Sequence, residues 1–154
     1  MSKTNDAKNR TLTLQKVFNV PVKLVWEAWT NPEYIIQWWA PKGMKINVIE
    51  HDFKVGGRWQ YSMPMPDGNL FISEGEYLEI EQYKKIVTTA NFKPMTEGVE
   101  MHVQFEEDND KTNFTFSVVH DTEEYCKQQE KMGFYNGWAS GFGRLENLLS
   151  ILKK

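Results

Sequence analysis

Gly133 to Leu152 (GFYNGWASGFGRLENLLSIL) carries Tyr135, Trp138, Phe142, Leu145, Leu149 and Leu152 at alternating steps of three and four residues. This spacing predicts one apolar stripe on a long helix. A stripe of that length has to be covered by another apolar surface of the same chain. Gly133, Gly137 and Gly141 stand four residues apart and stack on one side of the same helix, with Ala139, Ser140 and Gly143 as further small positions. Each internal glycine costs a helix about 1 kcal/mol relative to alanine. Two readings of the stripe stand open and are compatible. In one, bare backbone lets strands cross closely or kinks the helix near Gly133 or Gly137; in the other, the missing side chains leave a hollow beside Trp138.

The remaining 130 or so residues supply the cover, and their number sets its form: 154 residues make one domain with a substantial core. Six Trp and nine Phe point to an interior walled with large rings. The polar stretch 1–10 (MSKTNDAKNR) reads as a disordered tail, and 11–154 as a single domain. Net charge is −3, and Lys84, Lys85, Lys111, Lys153 and Lys154 are scattered, so no basic stripe exists to follow a nucleic-acid backbone. The first residues lack an apolar signal core and no run is long enough to span a bilayer, which argues against integral membrane association. A single cysteine precludes an internal disulfide, and the expected compartment is the reducing cytoplasm.

Along the chain, Thr11 to Phe18 alternates as a first strand, with Leu12 and Leu14 sharing a face. Pro21 opens a short amphipathic helix with Val22, Val25, Trp26 and Trp29 inward. Asn31, Pro32 and Glu33 cap and start a second, brief helix that ends before Pro41 and Gly43. From Met44 to His120 the period becomes two. The segment MKINVIEHDF shifts phase near Ile49, predicting a bulge. Gly56-Gly57 marks a turn, Trp59, Tyr61 and Met63 alternate, and Pro66-Asp67-Gly68 marks a tight hairpin. Strands follow over Leu70 to Glu81, Lys84 to Phe92, Val99 to Glu106 and Lys111 to His120, joined by turns at Glu81 to Tyr83, Pro94 to Gly98 and Asp108 to Asp110. Short connections make the sheet an antiparallel meander. Capping-box spacing from Asp121 to Glu124 starts the final helix, which Lys153 and Lys154 close.

The islands VWEAWTNPEYIIQWWAP, HDFKVGGRW, PDG, EGEYLEI and the late GW before an apolar helix resemble the activator of heat-shock-protein ATPase homologue (AHSA-like) family of the START-like, helix-grip (SRPBCC) superfamily, over Thr11 to Leu152. The resemblance implies an α+β helix-grip fold: a curved antiparallel sheet wrapped around a long C-terminal helix, with two short helices after the first strand and an apolar cavity between sheet and helix. Superfamily members bind lipids, polyketides or similar molecules, some are enzymes, and one branch stimulates a chaperone ATPase. The motifs specify fold far better than activity.

The residues expected to line a ligand site are Trp59, Tyr61 and Met63 on one strand, Met101 and Phe116 on others, Tyr135, Trp138 and Phe142 on the helix, and Trp39 and His120. The alternative for each is a solid core. Trp38 and Trp39 are sequence neighbours and cannot face the same way, so one belongs to the core and the other nearer the surface or cavity rim. His51, His102 and His120 fall on separate strands without ligand spacing, so no metal is expected, and nothing calls for a cofactor. His102 has outward parity; His120 shares parity with Phe116 and Val118 and could anchor a polar group or act as an acid–base residue. Cys126 reads as an ordinary thiol rather than a nucleophile. Glu74 and Glu76 share a strand face, either as a carboxylate pair or as the point where that face becomes solvated. Asp52 reads as a turn-stabilising carboxylate.

The leading expectation is a non-enzymatic or cryptically enzymatic module that binds a small hydrophobic molecule. Two rivals are weighed: a protein-interaction module for a cytoplasmic chaperone, with an exposed Trp38 or Trp39 and a filled interior, and a cyclase- or hydrolase-type enzyme using His120 with Glu74 or Glu76. The latter requires those groups to meet at one void.

Overall fold

The structure, a computed structural model, describes residues 9–39, 44–93 and 96–153. Residues 1–8 of the expected 1–10 tail and the Pro94 end of one turn lie outside the described residues. Elements run β1 (Thr11–Phe18), α1 (Val22–Thr30), α2 (Pro32–Trp38), β2 (Asn47–His51), β3 (Arg58–Pro64), β4 (Leu70–Glu81), β5 (Lys85–Lys93), β6 (Thr96–Asp108), β7 (Lys111–Val119), α3 (Glu123–Lys131) and α4 (Phe134–Leu152). The strands form one curved antiparallel sheet in the order β1-β7-β6-β5-β4-β3-β2. This is the helix-grip arrangement, with α4 packed against α1, α2 and β1.

Local chemistry accounts for the element ends. Asn31 Oδ1 accepts the Glu33 backbone N–H at 3.0 Å, and Pro32 fills the first position of α2. Pro21 precedes α1, its carbonyl accepting from Leu24 and Val25. The hairpin between β3 and β4 closes on Gly68, at φ +89°, while Asp67 Oδ1 accepts from the Asn69 backbone. At Gly57 the backbone itself holds the turn: an added Cβ would sit 2.0 Å from the Asp52 carbonyl oxygen, whereas the Asp52 carboxylate reaches only the Lys54 ammonium at the surface.

The C-terminal helix is interrupted. Thr122, not Asp121, caps α3 by accepting the Tyr125 N–H at 3.0 Å. The chain then breaks at Gly133, whose φ of +103° strains any residue with a side chain, and restarts as α4. Within the expected tail, the Arg10 carbonyl accepts the His120 N–H at 2.8 Å, extending the β1–β7 ladder.

The core lies between the concave sheet face and the helices. Val22, Val25, Trp26 and Trp29 of α1 are buried, as their spacing requires. They meet Val103, Phe105, Phe114 and Phe116 from the sheet and Phe142, Leu145 and Leu149 from α4. Parity on β6 and β7 follows the sequence alternation. On β4 it does not: Ser73, Gly75 and Tyr77 are buried, and Glu74 and Glu76 take the outer face.

Candidate functional site

Glycine positions and ring positions together shape a cavity of about 260 Å³ between β3–β5, the end of β7, and α3–α4. Gly133, Gly137 and Gly141 form its helical side, and a Cβ added at Gly137 would meet no atom within 4 Å. The stripe therefore does not serve close crossing of strand and helix at that point. It leaves space at the solvent-reached mouth of the cavity beside Trp138, and its first glycine also breaks the helix.

Trp39, Tyr61, Met63, His120 and Trp138 line this space, and Trp38 contributes to the wall. Trp38 is 1% exposed, with its indole N–H donated to the Ala28 carbonyl at 2.9 Å, so it is the core member of the pair. Trp39 is the rim member. Its indole N–H donates to the Ser73 hydroxyl at 3.1 Å, and its ring stands edge-on to Trp59, Tyr61 and Trp138.

The other expected lining residues sit elsewhere. Trp59 is buried over Gly75, where a Cβ would come within 2.8 Å of the indole, and its N–H donates to the Thr88 hydroxyl at 2.8 Å. It fills the part of the interior it was expected to border. Met101, Phe116 and Phe142 are packed into the layer below, Phe116 lying 4.5 Å from Trp138 and 5.2 Å from Phe142 between ring centroids. Tyr135 is 36% exposed on the outer side of α4. Phe134 rather than Tyr135 reaches the cavity: on the one helix Phe134–Leu152 it stands four residues before Trp138 and falls nearer the centre of the stripe than Tyr135 does.

The polar groups are few. His120 is 1% exposed, and its Nδ1 lies 3.1 Å from the Arg10 carbonyl oxygen. Burial holds its pKa below the ordinary value, and hydrogen bonds to backbone carbonyls only partly oppose this. Glu74, on the opposite sheet face, accepts from Gln60 and Asn91 and pairs with Lys93 at 3.0 Å. Lys93 and these donors hold its carboxyl below the usual range. His120 with Glu74 or Glu76 is thus no catalytic pair, because the sheet separates them. The Tyr61 hydroxyl is likewise committed: it bonds His51 Nδ1 at 2.8 Å and the Tyr77 hydroxyl, behind the cavity. Cys126 is buried, and its thiol pKa is raised by desolvation and by Glu130 and Glu123, the opposite of an activated nucleophile. His102 bonds Glu100 at the surface, and among the described residues no His, Cys, Asp and Glu cluster could hold a metal.

Sequence reasoning missed Phe71, Ser73, Phe92, Gln129 and Arg144 in the cavity wall. Signals existed for three of them. Gly75 and Tyr77 share parity with Phe71 and Ser73, whereas the opposite parity carries two glutamates. Arg144 lies three residues beyond Gly141 and seven beyond Gly137, hence on the glycine face.

The wider comparisons agree with this geometry. A crystal structure of a protein from Nitrosomonas europaea is 31% identical, with 94% of this chain and 97% of that chain covered and a TM-score of 0.81. One from Mycobacterium smegmatis is 24% identical, covers 96% and 95%, and has a TM-score of 0.84. A solution structure of an AHSA1-like protein from Aeromonas hydrophila shares the fold at 20% identity, 93% and 94% coverage and a TM-score of 0.74. No curated protein sequence matches. Among the described residues no helix is long and apolar enough to cross a membrane. The family model described as activator of Hsp90 ATPase homolog 1-like protein matches residues 19–150, and the chain belongs to that family.

Proposed function

We propose that this protein binds a compact, largely apolar molecule in the cavity between its sheet and α4. The observation that carries the reading is the open space at Gly137, on a helix that gives up about 1 kcal/mol of propensity at each internal glycine without gaining contact there. Rings of Trp39, Phe92 and Trp138 supply apolar walls, so transfer of ligand surface from water contributes ~25 cal/mol per Å². At about 260 Å³ the space lies just under the range of roughly 300–1,000 Å³ typical of sites for drug-sized molecules. That favours a ligand of one or two rings, or a medium-length chain, over a sterol. A single buried thiol suits a reducing compartment such as the cytoplasm.

Native mass spectrometry of freshly purified protein tests this, with Gly137→Leu as the comparison. The reading expects a co-purifying or added apolar molecule on the wild type and none on a folded Gly137→Leu protein. Equal uptake by both would overturn it. A chaperone contact, suggested by the family's name, has less support, since Trp38 is buried and Trp39 is turned to the cavity. A pull-down with the cytoplasmic chaperone, repeated with Trp39→Ala, tests that alternative.

A further inference from the structure

Arg144 is the one charged side chain among the described residues that line the cavity. It is half-buried on α4, and its guanidinium is fixed at two points: Nε–H donates to the Trp38 carbonyl at 3.0 Å and Nη1–H to the Ser140 hydroxyl at 3.1 Å. The remaining nitrogen, Nη2, lies over Gly141, 3.6 Å from where a Cβ would stand. A Cβ at Gly141 would make ordinary contact with it. No carboxylate pairs with Arg144 among the described residues, and the nearest acid along the helix, Glu146, is engaged by Lys16. A partly desolvated cation without a counter-ion is unfavourable. Desolvation lowers the Arg144 pKa, but from so high a value that the side chain remains protonated at neutral pH.

Ten residues of helix separate Phe134 from Arg144, about 15 Å at 1.5 Å per residue. The cavity is thus polarised along α4, with a cation at one end and apolar rings along its length. We infer that the ligand is an amphipathic monoacid, its carboxylate paired with the free edge of the Arg144 guanidinium and its apolar body laid along the Gly141–Gly137–Gly133 stripe. The inference rests on the cavity-binding reading and specifies its ligand class. A guanidinium presents donors in a planar fork that matches a carboxylate, and its bonds to Trp38 and Ser140 hold that fork in place before the ligand arrives.

The test uses matched acid and alcohol pairs, decanoate against decanol and naphthoate against naphthalenemethanol, titrated into the full-length protein while intrinsic tryptophan emission, to which Trp39 and Trp138 of the cavity contribute, is followed. Wild type is expected to bind at least one acid about tenfold or more tighter than its alcohol. Arg144→Gln, confirmed folded by circular dichroism, is expected to lose that preference while keeping its affinity for the alcohol. Arg144→Lys, which retains a point charge without the fork, is expected to keep part of it. Equal binding of acid and alcohol by wild type, or a preference unchanged in Arg144→Gln, overturns the inference and leaves the cavity reading standing. Failure of all four compounds to bind overturns both.

Discussion

His51 Nδ1 lies 2.8 Å from the Tyr61 hydroxyl, while its Nε2 lies 2.8 Å from the Thr30 carbonyl oxygen. A carbonyl only accepts, so Nε2 carries a proton, and in the neutral ring Nδ1 accepts from the tyrosine. The imidazole joins the end of α1 to β3 behind the cavity.

This fixes a pH dependence. Desolvation holds the pKa of both His51 and His120 below the ordinary value of 6.5. The unfolded chain then binds more protons than the folded one as pH falls through 6.5, so the stability these groups contribute is complete above that pH and is lost toward their lower folded values. Melting temperature is expected to be flat from pH 7 to 8 and to fall between roughly pH 6.5 and 5. His51→Gln and His120→Gln together should flatten this window; an unchanged slope would show that other groups control it.

Two glycines predict opposite outcomes for the same substitution. Gly137→Ala places a methyl in open space and is expected to stabilise the helix by about 0.5–1 kcal/mol. Gly75→Ala forces Cβ to 2.0 Å from the Thr89 carbonyl oxygen and 2.8 Å from Trp59, and should cost about 2–3 kcal/mol or prevent folding. Urea denaturation of the pair would measure the difference, and equal effects would contradict the placement of the cavity.

The phase of α4 can be checked by truncation. Phe116→Ala, at 0% exposure beneath the helix, should lose about 3–5 kcal/mol. Tyr135→Ala, on the outer side, should change stability by no more than about 0.5 kcal/mol. A large loss at Tyr135 would restore it to the interior.

Cys126 is 3% exposed, with its thiol pKa raised by burial. Reaction with an aromatic disulfide reagent at pH 8 is expected to be slow in the native protein and to become rapid in denaturant. Immediate native labelling would place the thiol at the surface.

Much of this was legible in the sequence because two periodicities dominate it. The alternation of Val99, Met101, Val103 and Phe105 fixed a strand and its inward face, and Asn31-Pro32-Glu33 marked a helix start by cap chemistry. The bulge near Ile49 followed from a slip in phase. Failures came where local pattern gave two answers. Leu70 and Ile72 are apolar, yet Phe71 and Ser73 face inward, because the ring of Trp59 requires Gly75 beneath it and that requirement sets the parity of β4. Tyr135 fits the stripe by spacing, but so does Phe134, four residues before Trp138 on the same helix, and it is Phe134 that faces the cavity. Which rings border space and which fill it depends on packing across three elements, and no single-strand pattern encodes that.

The irregularity on β2 bears on what that sheet margin offers to another strand. β2 ends the strand order and carries exposed Val48 and Ile49, a combination that invites a foreign strand to dock by backbone hydrogen bonding. The register shift between Val48 and Glu50 breaks the even spacing of donors and acceptors along that margin. An incoming segment would find only a few residues in step before the match failed, so the same extra residue that bends β2 also guards against runaway polymerisation.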